Sequence, residues 1–449
     1  MDRRSVRVWV GVLAVLVGGA TVPAAAAPSA PLPDTLTFER ATALLLEHNP
    51  QLRAVRSRAQ AEAQAAENAA RYPNPTLTLS EERTNLEGDG VDDQWYLNVR
   101  QPLDYPGEAR ARNRSAAAVE SAAEARTQEA AADLYRQLRH RYLAVVEAQA
   151  RRDVLARVTE AVRRAARAGD VRYEEGDLGT FQRARLKVAR ATYENDLADA
   201  ERALRTARAE LAVLLLPSAQ ADLDSLRAGG TPAVAGSLAF RPVTVDPDDA
   251  LQRARQERGR LVAARARLEA EMQTLDATRY QRYPDLSLSA GPKRQSLPGA
   301  DTYGYTAGLS VGLPLWNGGG AAVRAQQGRQ EAAAADLDAA RRAVDLDVYD
   351  ALQRVNSYRT RIQRLSDEVL MGTDALRDDA LFVYQQGEIS LFELLDALDA
   401  ARQSALLRTR LTADYLRSLY DLAFALGVGP TDDPLLVRGA LTPRNPSLE

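Results

Sequence analysis

The sequence predicts a mostly α-helical chain with a small transmembrane β part. Two repeats of long helices would line an α-barrel tunnel, and four strands per chain would contribute to a trimeric twelve-stranded β-barrel. Three observations predict this class. One pattern occurs twice along the chain, the longest segments keep helical periodicity well beyond the ~11–12 residues of an average helix, and each copy is interrupted by a pair of alternating segments.

The chain opens with Arg3, Arg4 and Arg7, an apolar stretch from Val8 to Ala20, and the small residues Ala24 to Ala27. That layout predicts a secretory signal peptide over 1–27, with the mature chain beginning near Ala27 or Pro28. Beyond it no apolar run reaches the ~18 residues a membrane-spanning helix needs. The 449 residues contain no cysteine, which excludes disulfides, thiol catalysis and thiolate metal sites, as well as lipid attachment through a cysteine. Almost every basic residue is Arg, Lys187 and Lys293 being the lysines, and acidic residues match them to a net charge of −3. No basic patch emerges, so nucleic acid is not an expected partner.

Self-comparison decides the organisation. Arg71-Tyr72-Pro73 followed by Leu77-Thr78-Leu79 returns about 211 residues later as Arg282-Tyr283-Pro284 followed by Leu286-Ser287-Leu288. Gln101-Pro102-Leu103 returns as Leu313-Pro314-Leu315-Trp316 before a glycine run, and Val171-Arg172-Tyr173-Glu174-Glu175-Gly176-Asp177 returns as Phe382-Val383-Tyr384-Gln385-Gln386-Gly387-Glu388. We therefore expect one repeat over 28–216, a linker over 217–245, a second repeat over 246–427 and a tail over 428–449. Each repeat reads helix, strand, strand, long helix, turn, helix. In the first these are Thr37–Ala70, the strand pair, Glu108–Ala168 and Leu178–Leu216, whose Leu197, Leu204, Leu211 and Ala200, Ala207, Leu214 form a heptad seam. In the second the helices are Asp248–Gln281, Ala321–Tyr384 and Ser390–Leu426, with Leu391, Leu394, Leu398, Ala401 and Ala405 on one face.

The strands alternate. Leu77 and Leu79 are set between Thr76, Thr78 and Ser80; Trp95, Leu97 and Val99 between Tyr96, Asn98 and Arg100; Tyr303, Tyr305, Ala307, Leu309 and Val311 between Gly304, Thr306, Gly308 and Ser310. One face is apolar and the other small or polar, as an outer-membrane strand of ~9–11 residues requires. Trp95, Tyr303, Tyr305 and Trp316 stand where aromatic girdles would lie. Four strands cannot close a barrel, and an open edge in lipid costs several kcal/mol per unsatisfied backbone group. Three copies would supply twelve strands, so a homotrimer in contact with outer-membrane lipid is expected.

The two-fold repeat, the Tyr-Pro entry into each strand pair and the Tyr-x-x-Gly helix turns resemble the TolC-type outer-membrane efflux family over Leu36 to Gly427. The resemblance implies a barrel in the outer membrane, an α-barrel extending into the periplasm, and docking to a periplasmic adaptor and an inner-membrane pump of the resistance-nodulation-division type. The segments Gln101 to Arg110 and Gly387 to Ala397 resemble the branch that serves heavy-metal cation pumps (CzcC-like). Other readings are the outer-membrane duct of a type I protein secretion system, a periplasmic adaptor, or a structural coiled coil; the strands at the centre of both repeats count against the last two.

An enzyme is not expected. His48 and His140 are the histidines, and no Gly-x-Ser-x-Gly elbow or His-Glu-x-x-His pair occurs. Gly318-Gly319-Gly320 lacks the Lys-Ser/Thr of a phosphate loop, and Asp345, Asp347 and Asp350 read as a solvated helix face. No catalytic residue, cofactor or metal ligand is assigned. The residues expected to matter lie at the helix turns. Tyr173, Gly176, Asp177 and Leu178, with Gly387, Glu388 and Ile389, would form tips that meet the adaptor, since glycine admits the positive φ of a tight turn. Glu393 and Asp396, three apart on one helical face, would form carboxylate rings in a trimer, among leucines facing neighbouring subunits. The resemblance implies that they line a constricted periplasmic entrance and that Tyr384 helps latch it.

Overall fold

The computed structural model describes residues 35–86, 90–216, 233–297, 300–364 and 378–428. The expected signal peptide, the tail from 429 onwards, residues 217–232 of the linker and the tips of both strand pairs at 87–89 and 298–299 lie outside the described residues.

The first repeat opens with β1 (Thr35–Leu36), α1 (Phe38–His48) and α2 (Pro50–Ala70). The single helix expected over Thr37–Ala70 is therefore two, and the break has a local cause. Asn49 leaves the helical conformation, its Oδ1 accepts the backbone N–H groups of Gln51 and Leu52 at 2.9 and 3.1 Å, and Pro50 occupies N1, where its missing N–H costs nothing. Asn49 Nδ2 also donates to the Leu214 carbonyl at 3.1 Å, tying the break to the end of the helix Thr180–Leu215. The second repeat breaks at the matching place, giving α5 (Pro247–Glu257) and α6 (Gly259–Arg279), of 11 and 21 residues, the same lengths as α1 and α2. Here Arg258 is the break residue. It is 5% exposed, and its guanidinium stacks 3.6 Å from the centre of the Phe424 ring.

Helix α3 (Glu108–Glu174) runs for 67 residues, about 100 Å, continuing past the expected Ala168. It packs on α2 and α4 (Thr180–Leu215) of its own repeat and on α6 and α9 (Leu391–Ala425) of the other. In the second repeat α7 (Gly320–Arg364) is followed, beyond residues 365–377, by a helical segment α8 over 378–386. The leucine and alanine seams face inward as expected: Ala200, Leu204 and Leu211 on α4, and Leu391, Leu394, Leu398 and Ala401 on α9, are buried.

The described part of the linker is no spacer. Ala233–Val234 forms β4, pairing in parallel with β1, and Leu238, Phe240, Val243 and Val245 pack on the core. Tyr415 holds the segment in place, its hydroxyl donating to the Arg241 carbonyl at 2.9 Å and accepting from the Val243 N–H at 3.0 Å.

The remaining strands, β2 (Thr76–Leu86), β3 (Gly90–Leu103), β5 (Asp285–Leu297) and β6 (Ala300–Gly312), form one antiparallel sheet in the order β2-β3-β5-β6. The two repeats thus join through β3 and β5. The β3–β5 ladder is interrupted opposite Gly291 and Pro292. A side chain at Gly291 would meet the Leu97 carbonyl at 1.7 Å, and the interruption accommodates a proline that lacks a donor.

Candidate functional site

The register aligns the alternation across all four strands. Leu79 faces Leu97, Val99 faces Ala290, Leu288 faces Leu309 and Leu286 faces Val311. One side of the sheet is therefore mostly apolar, with Gln101 within it and Glu81 and Arg294 beside Trp95 at the hairpin end, and it is open. Leu77, Leu79, Trp95, Leu97, Val99, Leu288, Tyr303, Tyr305, Leu309 and Val311 all stand exposed, Tyr305 at 85%. At roughly 1 kcal/mol for the uncovered part of each, leaving these ten in water would cost about as much as the whole stability of an ordinary domain. An apolar medium must cover this face. From Val311 to Tyr303 the band is about 26 Å along the strand, close to the ~25 Å of a barrel's lipid belt. Trp95, Tyr303 and Tyr305 sit at its hairpin end. Trp316, 95% exposed, sits at its helix end.

The opposite side carries Thr76, Thr78, Arg100, Asn98, Ser287, Ser289, Thr306 and Ser310. Near the hairpin tips this side holds a hydrogen-bonded network. Gln295 and Gln94 both donate to Asp92, Tyr96 bonds to Gln94, and the Lys293 ammonium lies 5.1 Å from the Tyr96 ring centre.

The helix turns lie at the other functional end. Gly176 and Gly387 have φ of +85° and +79°, and both close α3 and α8 in the same way. Asp177 N–H bonds to the Arg172 carbonyl at 2.7 Å and Gly176 N–H to that of Tyr173 at 3.2 Å, while Glu388 and Gly387 repeat the pair on Val383 and Tyr384 at 3.1 and 3.0 Å. This is the Schellman arrangement, in which only glycine takes the left-handed position without penalty. Asp177 and Glu388 are exposed, but Leu178 is buried and Ile389 half-buried in the core below. Tyr173 remains inside α3, with the Arg183 guanidinium over its ring at 4.5 Å.

Tyr384 is 2% exposed among Val158, Val162, Leu381 and Leu394, and its hydroxyl has no hydrogen-bond partner among the described residues. Burial pushes its pKa up, against the pull of Arg172. Glu393 and Asp396 are exposed, whereas Leu391 and Leu394 face the core of the same chain and not a neighbour. Glu393 also has a local duty. Its carboxylate accepts the Ser390 N–H at 2.7 Å while Ser390 Oγ accepts the Glu393 N–H at 3.3 Å, a capping box that starts α9 and holds the Glu393 carboxyl below its ordinary range. In the first repeat Gln182 accepts the Gly179 N–H at 3.1 Å and does the same work uncharged.

Sequence reasoning passed over a second pair beside the turns. Phe181 and Phe392, in the first turns of α4 and α9, are both strongly exposed, as are Val171 and Phe382 before the turns. Their recurrence at matching repeat positions was the available signal. Among the described residues no cluster of His, Asp or Glu is arranged to hold a metal ion, and no helix is long and apolar enough to cross a membrane.

A family model described as outer membrane efflux protein matches residues 42–216 and 250–428. The cobalt-zinc-cadmium resistance protein CzcC of Cupriavidus metallidurans is 24% identical over 373 residues, covering 82% of this chain and 83% of that protein. Among solved structures, the outer-membrane channel OprN superposes with a TM-score of 0.70 at 18% identity, over 87% of this chain and 90% of its own. The CmeC outer membrane channel of Campylobacter jejuni gives 0.70 at 16% identity, over 87% and 86%. CusC, whose structures concern folding and transmembrane channel formation, gives 0.69 at 18% identity, over 87% and 92%.

Proposed function

Because the chain belongs to the outer membrane efflux protein family, a family of channels and not of enzymes, we propose that it is the outer-membrane subunit of a tripartite efflux system exporting metal cations. The observation that carries the reading is the sheet, with one exposed and mostly apolar face, one polar face and two unpaired edges. Three copies joined edge to edge form a twelve-stranded barrel whose apolar side meets lipid and whose polar side lines the lumen. Trp95, Tyr303 and Tyr305 form the girdle at the hairpin end and Trp316 lies at the other rim. The helices continue the channel into the periplasm. The turns at Gly176 and Gly387 meet a periplasmic adaptor, which couples the channel to an inner-membrane pump of the resistance-nodulation-division type. Tyr384, Glu393 and Asp396 stand beside those turns, where carboxylates repeated by three-fold symmetry would attract cations and focus the field at the entrance.

The substrate class is supported by the likeness to a cobalt-zinc-cadmium resistance protein. Deleting the gene should sensitise cells to zinc, cobalt or cadmium and leave tolerance of hydrophobic drugs unchanged; the reverse pattern would overturn the metal assignment. The entrance is tested in planar bilayers. The double variant Glu393→Gln, Asp396→Asn keeps the cap, as Gln182 does, and removes only charge. It should weaken block by multivalent cations severalfold at unchanged assembly. Wild-type block and selectivity would return both residues to ordinary surface positions.

A further inference from the structure

The two helix breaks begin their second helices with different chemistry. At the first, Asn49 Oδ1 accepts the N–H groups of Gln51 and Leu52, and Pro50 has no N–H to satisfy. At the second, Arg258 and Gly259 occupy those places. An arginine side chain offers no acceptor, so α6 starts without a side-chain cap. Leu261 N–H turns to the Arg258 carbonyl at 2.9 Å, while the N–H groups of Gly259 and Arg260 find no acceptor among the described residues. A helix of 21 residues therefore opens on bare donors and on the positive end of its dipole.

The side chain standing where the cap would be is itself unpaired. Arg258 is 5% exposed, its Nε has no hydrogen-bond partner, and among the described residues its guanidinium forms no ion pair. It lines a cavity of about 450 Å³ where α3, α6, α7 and α9 meet, together with Arg136, Arg260 and Arg354. Arg136 lies over the same Phe424 ring at 4.8 Å, and both it and Arg260 are near enough to Arg258 to oppose its charge. The carboxylates in the wall do not neutralise this group. Asp133 is held by Arg136 at 2.9 Å, and Asp421 by His140 at 2.8 Å and Arg354 at 3.8 Å. Glu129 and Asp347 act on Arg258 at longer range, without an ion pair, and burial keeps a proton on the Glu129 carboxyl to higher pH than usual. A buried guanidinium with no partner has lost its water without compensation, so its cavity calls for an anion.

We propose that this cavity binds a small oxyanion, of the phosphate or sulfate kind, which fills at the start of α6 the place that the Asn49 carboxamide fills at the start of α2. Arg258 presents a planar fork that matches two oxygens, and Arg260 adds a second guanidinium from the first turn of α6. The helix N-terminus favours negative charge at the same place. Helix α6 runs 21 residues, about 31 Å, before the sheet is reached, so the ion is a free one and not the headgroup of a lipid beside the barrel. The inference depends neither on the number of copies in the channel nor on what the channel exports.

Equilibrium dialysis of the full-length, detergent-extracted protein against radiolabelled inorganic phosphate, with chloride as the other salt, tests it. We expect saturable binding of about one phosphate per chain, displaced by sulfate and not by chloride. Arg260→Gln, at an exposed position, should weaken binding roughly tenfold, the loss of one charge-assisted pair. Arg258→Asn, which installs the cap of the first repeat, should abolish binding. Glu129→Gln, which removes a competing carboxylate, should strengthen it severalfold. Arg267→Gln, on the same helix but paired with Asp336 outside the cavity, should leave it unchanged. Should Arg258→Asn fail to reach the outer membrane, the Arg260, Glu129 and Arg267 variants decide the matter. The proposal is overturned by wild-type protein that takes up no phosphate saturably, or by binding that Arg267→Gln weakens as much as Arg260→Gln, which would be attraction to surface charge at large. Weaker binding in Glu129→Gln would also overturn it, as that carboxyl would then be holding the ion and not competing with it.

Discussion

Gly427 offers a quantitative test of how the second repeat is closed. It ends α9 with φ +83°, its N–H bonding to the Phe424 carbonyl and that of Val428 to Ala423, both at 3.0 Å. Unlike Gly176 and Gly387, it also touches another element. A side chain there would meet the Glu257 carbonyl carbon and oxygen at 2.6 Å and the Arg258 nitrogen at 2.8 Å, all backbone of the α5–α6 break. Gly427→Ala should therefore incur two costs, about 1–2 kcal/mol for a left-handed alanine and about 1–3 kcal/mol for displacing packed backbone. Gly387→Ala, with φ +79° and nothing within 4 Å, should incur only the first. Thermal unfolding of the detergent-extracted protein, followed by far-UV circular dichroism, should place Gly427→Ala clearly below Gly387→Ala, and that below wild type. Equal midpoints for the two variants would refute the close approach between the end of α9 and the break.

Two further outcomes follow from the cores. Asn49→Ser keeps an acceptor for the α2 cap and loses the bond to Leu214, which should cost about 1 kcal/mol; Asn49→Ala loses the cap as well and should cost about 2–3 kcal/mol in the same assay. Burial raises the pKa of Glu129 against the pull of Arg258 and Arg260. The folded state thus holds this proton more tightly than the unfolded one, a contribution intact below the unfolded value of about 4.3 and lost as pH rises through the folded one. Glu129→Gln should accordingly raise the unfolding midpoint at neutral pH and give no gain near pH 4; a gain that grew on acidification would show the sign to be wrong.

Much of the helical and strand order could be read from residue periodicity, because each segment buries one side. The alternation of Leu77, Leu79, Val99 and Leu309 appears as one face of the sheet, and the glycines of both Tyr-x-x-Gly turns take positive φ. What stayed hidden depends on partners distant in sequence. Asn49-Pro50 carried a legible stop and start, but Arg258-Gly259 did not: its break is held by the Phe424 ring and by close contact of Gly259 with the Glu129 backbone. The Pro, Gly and Ala content of 217–245 suggested a linker between the repeats, yet each of Leu238, Phe240 and Val243 finds a place on the core.

Glu393 shows why a charged residue near an expected entrance cannot be assigned from spacing alone. Three residues after Ser390, a Glu or Gln is what a capping box demands, and Gln182 fills the same position in the first repeat. The demand of the cap therefore accounts for the side-chain shape at both positions and leaves only the charge of Glu393 unexplained. Asp396 has no such duty and its first-repeat counterpart is Arg185, which lies over the Phe392 ring at 5.0 Å. The electrostatic role proposed for the entrance thus rests on the difference between the repeats: a Glu where Gln suffices, and an Asp where the other half carries an Arg. That difference makes the charge, and not the geometry of the turn, the quantity that the Gln–Asn double variant isolates.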